Sequence, residues 1–200
     1  MATPVLPDPS FATRPLVTAK IPVGSTWRRM YETRFPNPLG YGPGLNRFSD
    51  PTGKAFGLIY LGSTAKVAFV ETILRDRADG RGATCVVAYD EIAKRSLASI
   101  VPVEPLVLVN LTGDGPLRMG VPSDVVGARD QSLAQRWSVA FHDHPEQPDG
   151  ILYPSRLNEE RCIALYARAI PKLKATATPL LVDCRAELAA ILDGLDIAIV

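Results

Sequence analysis

An acidic side chain, Glu71, lies in a segment that is otherwise almost wholly apolar. Residues 64–75 have the spacing of a helix, and the neighbours of Glu71 are mainly Ala, Val, Phe, Ile and Leu. Such a composition implies burial between other elements. Because an unpaired buried charge is costly, the carboxylate needs either a partner or a chemical task. Arg75, four residues on, is in the favourable order for an intrahelical ion pair, and the helix alone favours that interpretation.

Two consecutive arginines, Arg28 and Arg29, fall within a predicted strand. Neighbouring strand residues point to opposite faces, so at least one of the two leaves the solvent face. A guanidinium in a cleft binds anions, and its paired donors suit a diphosphate. Arg47, which follows a glycine-rich loop at residues 40–44, is a candidate for a second such contact. The alternative is that both strand arginines are ordinary surface residues.

Two further residues are placed where strands meet other elements. Tyr60 ends a predicted strand directly before the Glu71 helix, where a tyrosine is usually part of the core. Its ring is also suited to stacking on a flat cationic heterocycle such as nicotinamide. Ser155 follows Pro154 at the end of another predicted strand, where side chains commonly line sites. Its alternative is an ordinary turn serine.

Several common kinds of site are not indicated. No Gly-x-Ser-x-Gly motif surrounds Ser155, and the two histidines, His142 and His144, are close together, which disfavours a serine-hydrolase triad. The same histidine pair lacks further ligands at a recognisable spacing, so we expect no metal site. The glycine-rich loop is followed by neither a Gly-Lys-Ser/Thr sequence nor a βαβ unit, which excludes a P-loop and a Rossmann fingerprint.

The elements that must position these residues are mostly short strands. We predict helices at residues 64–75, 130–142 and 183–192. We predict strands at residues 27–31, 57–61, 84–89, 106–111, 151–153 and 162–169, from their β-branched and aromatic residues. Few helices separate the strands, which favours a mixed α+β fold over a regularly alternating parallel sheet.

The composition indicates one compact domain without an overall electrostatic bias. The 200 residues are 46% hydrophobic, and 22 Lys+Arg against 21 Asp+Glu give a net charge of +1. No global field therefore favours nucleic acid, and we expect no direct nucleic-acid binding. Residues 1–25 are rich in proline and predict an extended arm, and residues 26–200 predict the single domain.

The same composition bears on the compartment. The first residues lack the apolar run of a signal peptide, and no later apolar run approaches the roughly 18 residues of a membrane helix. Cys85, Cys162 and Cys184 are an odd number, far apart and among apolar residues, which favours reduced thiols over disulfides or zinc. We therefore expect a soluble cytoplasmic protein that is not associated with membranes.

In order along the chain, these pieces resemble the RES-domain family, which is named for an Arg, a Glu and a Ser. The resemblance spans about residues 26–169. The matching segments are Trp27-Arg28, Asn46-Arg47-Phe48-Ser49, Ile59-Tyr60-Leu61, Ala68-Phe69-Val70-Glu71, Asp149-Gly150-Ile151 and Tyr153-Pro154-Ser155-Arg156. Two features depart from the family pattern: Leu45-Asn46 replaces a common glycine pair, and Arg29 leaves the identity of the first arginine open.

The resemblance implies a fold similar to the ADP-ribosyltransferases, with a split mixed β-sheet and a few helices around a cleft for NAD⁺. It implies Arg28, Tyr60, Glu71 and Ser155 as catalytic residues, with Arg47 helping to bind the phosphates. NAD⁺ would be the substrate, cleaved between nicotinamide and ribose by a glycohydrolase or phosphorylase without a metal. Glu71 would stabilise the oxocarbenium-like transition state.

Under the same resemblance, the arginine would clamp the diphosphate, Tyr60 would face the nicotinamide, and Ser155 would fix the nicotinamide or the ribose. Family members are toxins of bacterial toxin–antitoxin pairs, so the resemblance also implies an antitoxin partner, with an Xre-type helix-turn-helix. Two alternatives remain open. One is mono-ADP-ribosylation of a cellular protein, such as an enzyme of nucleotide metabolism, and the other is an inactive NAD-binding module.

Overall fold

The computed structural model describes residues 5–42, 44–75, 77 and 85–200. Its strands are β1 (Thr18–Ile21), β2 (Trp27–Glu32), β3 (Leu58–Gly62), β4 (Cys85–Val87), β5 (Arg95–Pro102), β6 (Leu106–Asn110), β7 (Gly150–Pro154), β8 (Arg161–Tyr166), β9 (Leu173–Ala177) and β10 (Ile197–Ile199). Its helices are α1 (Ala65–Phe69), α2 (Tyr89–Ala93), α3 (Gly115–Met119), α4 (Asp124–Gly127), α5 (Ser132–His142) and α6 (Arg185–Gly194). Among these residues, no helix combines the length and apolar character needed to cross a membrane.

Eight strands form one mixed sheet in the order β1-β6-β7-β8-β3-β2-β5-β9, and β4 pairs with β10 in a small second sheet. Strands β6 and β7 are parallel, and the other neighbours in the large sheet are antiparallel. Because helices interrupt the chain only at intervals, the strands follow no regular βα alternation. The predicted α+β class is confirmed.

Helices pack mainly on one face of the large sheet. There, α5 covers β7 and β8 through Trp137 and Phe141, while α1 and α6 cover β2 and β5 around Met30 and Leu97. The opposite face holds a third apolar cluster that includes Ile59. The helix-covered face therefore contains two separate apolar clusters.

Several element predictions need correction. The predicted strand at residues 84–89 is strand only at Cys85–Val87, because Tyr89 begins α2; residue 84 lies outside the described residues. The predicted strand at residues 162–169 ends at Tyr166 and continues as a 3-10 turn. Strand β5 was not predicted, because its run of Ser, Ala and Ser has weak strand propensity, although the strand is largely buried.

The N-terminal segment, for which we expected an extended arm, packs against the domain in its described part. A 3-10 turn at Pro9–Thr13 buries Phe11, whose ring meets the edge of Trp137 at a centroid distance of 5.1 Å. Trp137 also donates its indole N–H to the carbonyl of Val5 at 3.0 Å. Strand β1 then pairs with β6 at the edge of the sheet. This segment thus contributes to the core that supports α5.

Candidate active site

The register of four adjacent strands places several of the predicted site residues on one face. Arg28 of β2 lies opposite Gly62 of β3, which lies opposite Cys162 of β8, which lies opposite Tyr153 of β7. Cross-strand partners share a face, and Tyr60, two residues before Gly62, shares it too. Neighbouring strands are about 4.8 Å apart, so the backbones of Arg28 and Tyr153 are separated by about 14 Å across the sheet.

A cavity of about 330 Å³ lies on this face. Arg28, Arg47, Tyr60 and Glu71 all line it, so the structure brings four of the five predicted site residues to one place. The remaining lining residues are Arg29, Met30, Asn46, Leu61, Gly62, Ala68, Thr72, Arg75, Tyr153, Arg156, Leu157 and Cys162. Among the described residues that form its wall, five are arginines and Glu71 is the carboxylate.

Glu71 reaches the cavity from an irregular part of its helix. Thr64 caps α1 by accepting a hydrogen bond from the Val67 N–H, and after Phe69 the helix widens into a π-helical turn, Val70–Leu74. Turns of this kind are rare in proteins, and those that occur often lie at functional sites. Val70, Ile73 and Leu74 are buried, which fixes the turn against the core and leaves Glu71 half-buried at the cavity.

The partner of Glu71 is Ser155 and not Arg75. Ser155 Oγ donates to Glu71 Oε1 at 2.6 Å and accepts from the Leu157 N–H at 3.2 Å. Arg75 instead donates to Asn46 Oδ1 at 3.0 Å. The intrahelical ion pair favoured by the helix sequence is therefore absent between these two described residues.

Ser155 stands behind the carboxylate and not in the cavity wall. Ser155 is 1% exposed, and its backbone N–H donates to the carbonyl of Glu160 at 2.7 Å. The sequence suggested that Ser155 would touch the nicotinamide or the ribose. In this structure its hydroxyl donates to one oxygen of Glu71, and Glu71 itself lines the cavity.

The register also distinguishes Arg28 from Arg29. Arg28 faces the cavity side, where its guanidinium donates to Ser99 Oγ and pairs with Glu187 of α6 at 2.8 Å. Its Nε is buried and has no hydrogen-bond partner among the described residues. Arg29 borders the cavity, but its side chain points to the opposite face of β2, where it donates to the Pro38 carbonyl and burial lowers its pKa to about 10. Arg28 is therefore the strand arginine available to a ligand.

Arg47 is a buried cation with little to balance it. It is 7% exposed, and within the described chain its side chain donates one hydrogen bond, to the Val125 carbonyl at 3.4 Å. Burial lowers the pKa of Arg47, and the charges of Arg156 and Arg75 lower it further. A buried guanidinium beside two others is costly, so this position favours an anion.

Tyr60 has its hydroxyl and its ring in different surroundings. The hydroxyl accepts a hydrogen bond from the Phe48 N–H at 3.1 Å, which ties β3 to the loop that carries Arg47. Burial raises the pKa of Tyr60 to about 12, so the phenol stays neutral at physiological pH. Its ring lines the cavity and is the part that a ligand can touch.

Sequence reasoning missed several residues of the cavity and its surroundings. Arg75 and Arg156 both lie in segments that we considered, but Arg75 was interpreted only as a partner of Glu71. Asn46 was noted only as a departure from a glycine pair. Glu187 gave no signal, because it is 159 residues from the arginine that it contacts.

Neither histidine takes part in this site. His144 is 2% exposed and its ring forms a hydrogen bond with the Arg14 carbonyl at 3.0 Å. His142 stacks on Phe56 with a centroid distance of 4.3 Å. Both lie at the end of α5, and neither is among the residues that line the cavity.

Comparisons with known proteins find relatives of this chain. The chain is 42% identical over 127 residues to the "Probable toxin y4kH" of Sinorhizobium fredii (strain NBRC 101917 / NGR234), which covers 64% of this chain and all of that protein. The fold of the present chain is similar to that of a chain in the crystal structure of the M. tuberculosis MbcT-MbcA toxin-antitoxin complex. The TM-score is 0.63 at 17% identity, over 91% of this chain and 98% of that one.

The family assignment rests on a family model that matches most of the chain. Residues 21–189, which include every predicted site residue, match the model of the RES domain. The resemblance drawn from the short motifs is thereby confirmed, and with it the α+β fold that the resemblance implies. This chain belongs to the RES-domain family.

Proposed function

We propose that this RES-domain chain is a toxin enzyme that cleaves NAD⁺ between nicotinamide and ribose. One observation carries the proposal: a single carboxylate, Glu71, oriented by buried Ser155, stands in a cavity whose other charged lining residues, within the described chain, are arginines. Such a cavity combines attraction for an anionic substrate with one negative charge where a positive charge can develop.

The chemistry assigns Glu71 the central role. When the bond between ribose C1′ and the nicotinamide nitrogen breaks, its electron pair leaves with nicotinamide, and positive charge develops on the ribose. A fixed carboxylate stabilises that charge in the transition state. An oxygen of phosphate, or of a water molecule that releases a proton to the solvent, then bonds to C1′, which gives the 1-phosphate of ADP-ribose or ADP-ribose itself. Ser155 contributes by holding Glu71 at 2.6 Å.

The remaining residues act in binding. Arg28 has an unpartnered Nε, among the residues described, and the two-sided donor geometry that suits a diphosphate. Arg47 offers a second cation. Tyr60 offers its ring to the nicotinamide. In this proposal NAD⁺ is the substrate, and no step requires a metal ion.

The toxin role is supported by the relatives. One is named a probable toxin, and the fold of another was solved as part of a toxin-antitoxin complex. We propose that this chain likewise acts in the cytoplasm and is held inactive by a cognate antitoxin that covers the cavity and carries an Xre-type helix-turn-helix. Growth arrest on expression of this chain alone, with relief on co-expression of the antitoxin, would support that role.

The decisive experiment identifies products. Purified protein is incubated with NAD⁺, with and without phosphate and with and without cell extract, and the products are separated by mass spectrometry. Free nicotinamide with ADP-ribose or its 1-phosphate supports hydrolysis or phosphorolysis. A mass increase of an extract protein supports ADP-ribosyl transfer instead. Folded protein that binds NAD⁺ and leaves it intact overturns the proposal in favour of an inactive binding module.

A further inference from the structure

Three arginines, Arg47, Arg75 and Arg156, line the same part of the cavity and are named here the arginine cluster. They come from three separate segments: the loop after the glycine-rich sequence, the end of the π-helical turn, and the turn after β7. Burial lowers the pKa of Arg47, the charges of Arg156 and Arg75 lower it further, and the charge of Glu71 raises it. Like charges have therefore been brought together by the fold.

Within the part of the chain that the structure describes, no acidic side chain forms an ion pair with the arginine cluster. Among the ion pairs of residues that the structure describes, none includes Arg47, Arg75 or Arg156. Arg47 is buried, Arg75 is half-buried and Arg156 is exposed, so the cost of the assembly falls mainly on Arg47, whose charge is unfavourable there unless an anion binds. The geometry thus points to a ligand with several negatively charged oxygens, and a phosphate group is the biological ligand that guanidinium forks match best.

Asn46 sets the position of one member of the cluster. Its Oδ1 accepts from Arg75 Nη1 at 3.0 Å, and its own backbone is held on both sides. The Asn46 N–H donates to Ser49 Oγ at 3.0 Å, and its carbonyl accepts from Gln135 Nε2 of α5 at 3.1 Å. Asn46 is therefore a fixed support that joins the loop, α5 and the Glu71 helix.

The chemical nature of that support matters. An amide oxygen accepts a hydrogen bond but carries no charge, so it orients the Arg75 guanidinium without cancelling its positive charge. A carboxylate in the same place would hold Arg75 at least as firmly and would neutralise it. A glycine, as in the family pattern, would offer no side-chain contact at all. Asn46 therefore positions the Arg75 guanidinium and leaves its charge available to a ligand.

We propose that Arg75 is a phosphate-binding residue of this site and that Asn46 is its positioning residue. The inference rests on the proposed function for the identity of the substrate, and it assigns roles to two residues that are not among the five predicted site residues. The phosphate belongs either to the diphosphate of NAD⁺ or to free inorganic phosphate acting as acceptor, because both present the same oxygens to a guanidinium.

Binding measurements on ADP-ribose and on inorganic phosphate test the proposal without requiring turnover. Isothermal titration of wild type, Arg75→Gln, Asn46→Gly and Asn46→Asp is compared with the matched control Arg77→Gln, an arginine two residues on that pairs with Glu91 away from the cavity. Arg75→Gln should weaken one of the two probes about tenfold, since a charge-assisted hydrogen bond is removed. The probe affected identifies the source of the phosphate.

Asn46 is tested by its two substitutions. Asn46→Gly should weaken the same probe at least threefold and should raise KM with little change in kcat, because a phosphate contact holds ground state and transition state alike. Asn46→Asp should keep or raise the melting temperature and still weaken that probe. A purely structural Asn46 predicts the reverse: unchanged binding in Asn46→Asp.

Two results overturn the inference. One is a folded Arg75→Gln protein that binds both probes within threefold of wild type, and the other is Asn46→Asp with unaltered affinity. If wild type fails to consume NAD⁺, the proposed reaction fails, but the two binding arms still decide whether Arg75 and Asn46 form a phosphate site. The failure of one proposal is thus distinguishable from the failure of the other.

Discussion

The two ends of the cavity use the same residue type in opposite ways. At the Arg28 end, the guanidinium is met by Ser99 and by a carboxylate, Glu187. At the other end, the arginine cluster of Arg47, Arg75 and Arg156 is met by the neutral oxygens of Val125 and Asn46. Among the described residues, a carboxylate balances the charge at the Arg28 end, and none forms an ion pair with the arginine cluster at the other.

This difference separates the contribution of an arginine to stability from its contribution to binding. A paired arginine stabilises the fold, and a ligand gains little from it unless the existing partner leaves. An unpaired buried arginine costs stability in the empty protein, and that cost is relieved when an anion binds. We therefore expect Arg28 to stabilise the protein in the absence of a ligand. We expect the arginine cluster to lower that stability until an anion binds.

The largest expected effect is a loss of turnover on substitution of Glu71. Glu71→Gln keeps the shape of the side chain and its contact with Ser155 but removes the negative charge. Turnover of NAD⁺ should fall about 10²- to 10³-fold, as for other groups that stabilise charge in the transition state, while NAD⁺ affinity changes little. A nicotinamide-release assay together with titration of NAD⁺ measures both quantities.

The competing account of Glu71 is structural. If the carboxylate serves only to anchor Ser155, Glu71→Gln should lower the melting temperature and leave turnover per folded molecule unchanged. Ser155→Ala is the matched control, because it removes the 2.6 Å hydrogen bond and keeps the charge. We expect it to lower kcat by less than Glu71→Gln does.

The comparison between the two ends is tested most directly by a pair of substitutions. Arg47→Met should raise the free energy of unfolding by about 1 kcal/mol, because an unpaired cation gives way to an apolar side chain of similar length. Arg28→Met should lower it by about 1 kcal/mol, because buried Ser99 is left without its hydrogen-bond partner. Chemical denaturation measures both changes.

Both substitutions should also weaken NAD⁺ binding, Arg47→Met by about tenfold and Arg28→Met by less, because the guanidinium of Arg28 is already paired with Ser99 and Glu187. The opposite signs in stability are what distinguish the ends. If Arg47→Met destabilises the protein as much as Arg28→Met does, then the surrounding protein compensates the charge of the arginine cluster, and the two ends of the cavity do not differ in this respect.

A smaller effect is expected from the carboxylate at the Arg28 end. Glu187 is half exposed, so its pair with Arg28 is worth only a fraction of a kcal/mol to about 1 kcal/mol. Glu187→Gln removes the charge that competes with a phosphate for the same guanidinium. NAD⁺ affinity should rise about threefold at low salt and less at high salt. An unchanged or reduced affinity would mean that Glu187 orients Arg28 and does not compete for it.

The smallest effect on binding is expected from Asp50, in the loop after Arg47. Its carboxylate accepts from the Thr52 hydroxyl at 2.6 Å and from the N–H groups of Thr52, Lys54 and Ala55. These bonds hold the pKa of Asp50 well below its usual range. The stability that they add is present at neutral pH and is lost progressively as the pH falls below about 4.

Asp50→Asn should therefore lower the melting temperature at pH 7 and flatten the acid dependence between about pH 5 and pH 2. Thermal melts of both proteins across that range measure the difference. Turnover per folded molecule should stay close to wild type, because Asp50 does not line the cavity. A parallel acid dependence in the two proteins would show that other carboxylates dominate it.

The sequence was most informative where local pattern decides structure. The apolar residues around Glu71 predicted a buried helix, and Val67, Phe69, Val70 and Ile73 are indeed buried. Strand β2 was likewise predictable, and with it the opposite directions of Arg28 and Arg29. Deciding which of the two faces the cavity needed the register of β2 against β3, which depends on pairing across the chain.

What could not be predicted depends on distant contacts. Glu187 meets Arg28 only because α6 packs beside β2, and no spacing in the sequence encodes that approach. The helix containing Glu71 was predicted as regular, and in a regular helix Arg75 is a natural partner four residues away. The contact of Arg75 with Asn46 depends on the loop after the glycine-rich segment and on the π-helical geometry. Residue types alone specify neither of these.

The π-helical turn Val70–Leu74 has a consequence for how this helix tolerates change in length. It places Glu71 against Ser155 and Arg75 against Asn46 at the same time, and each residue of an α-helix turns the chain by about 100°. Deleting a residue within the turn would rotate everything after it, so Arg75 would lose its support even if Glu71 kept its own. The length of this segment therefore couples the position of the Glu71 carboxylate to that of the Arg75 guanidinium, and insertions or deletions there should be far less tolerable than substitutions.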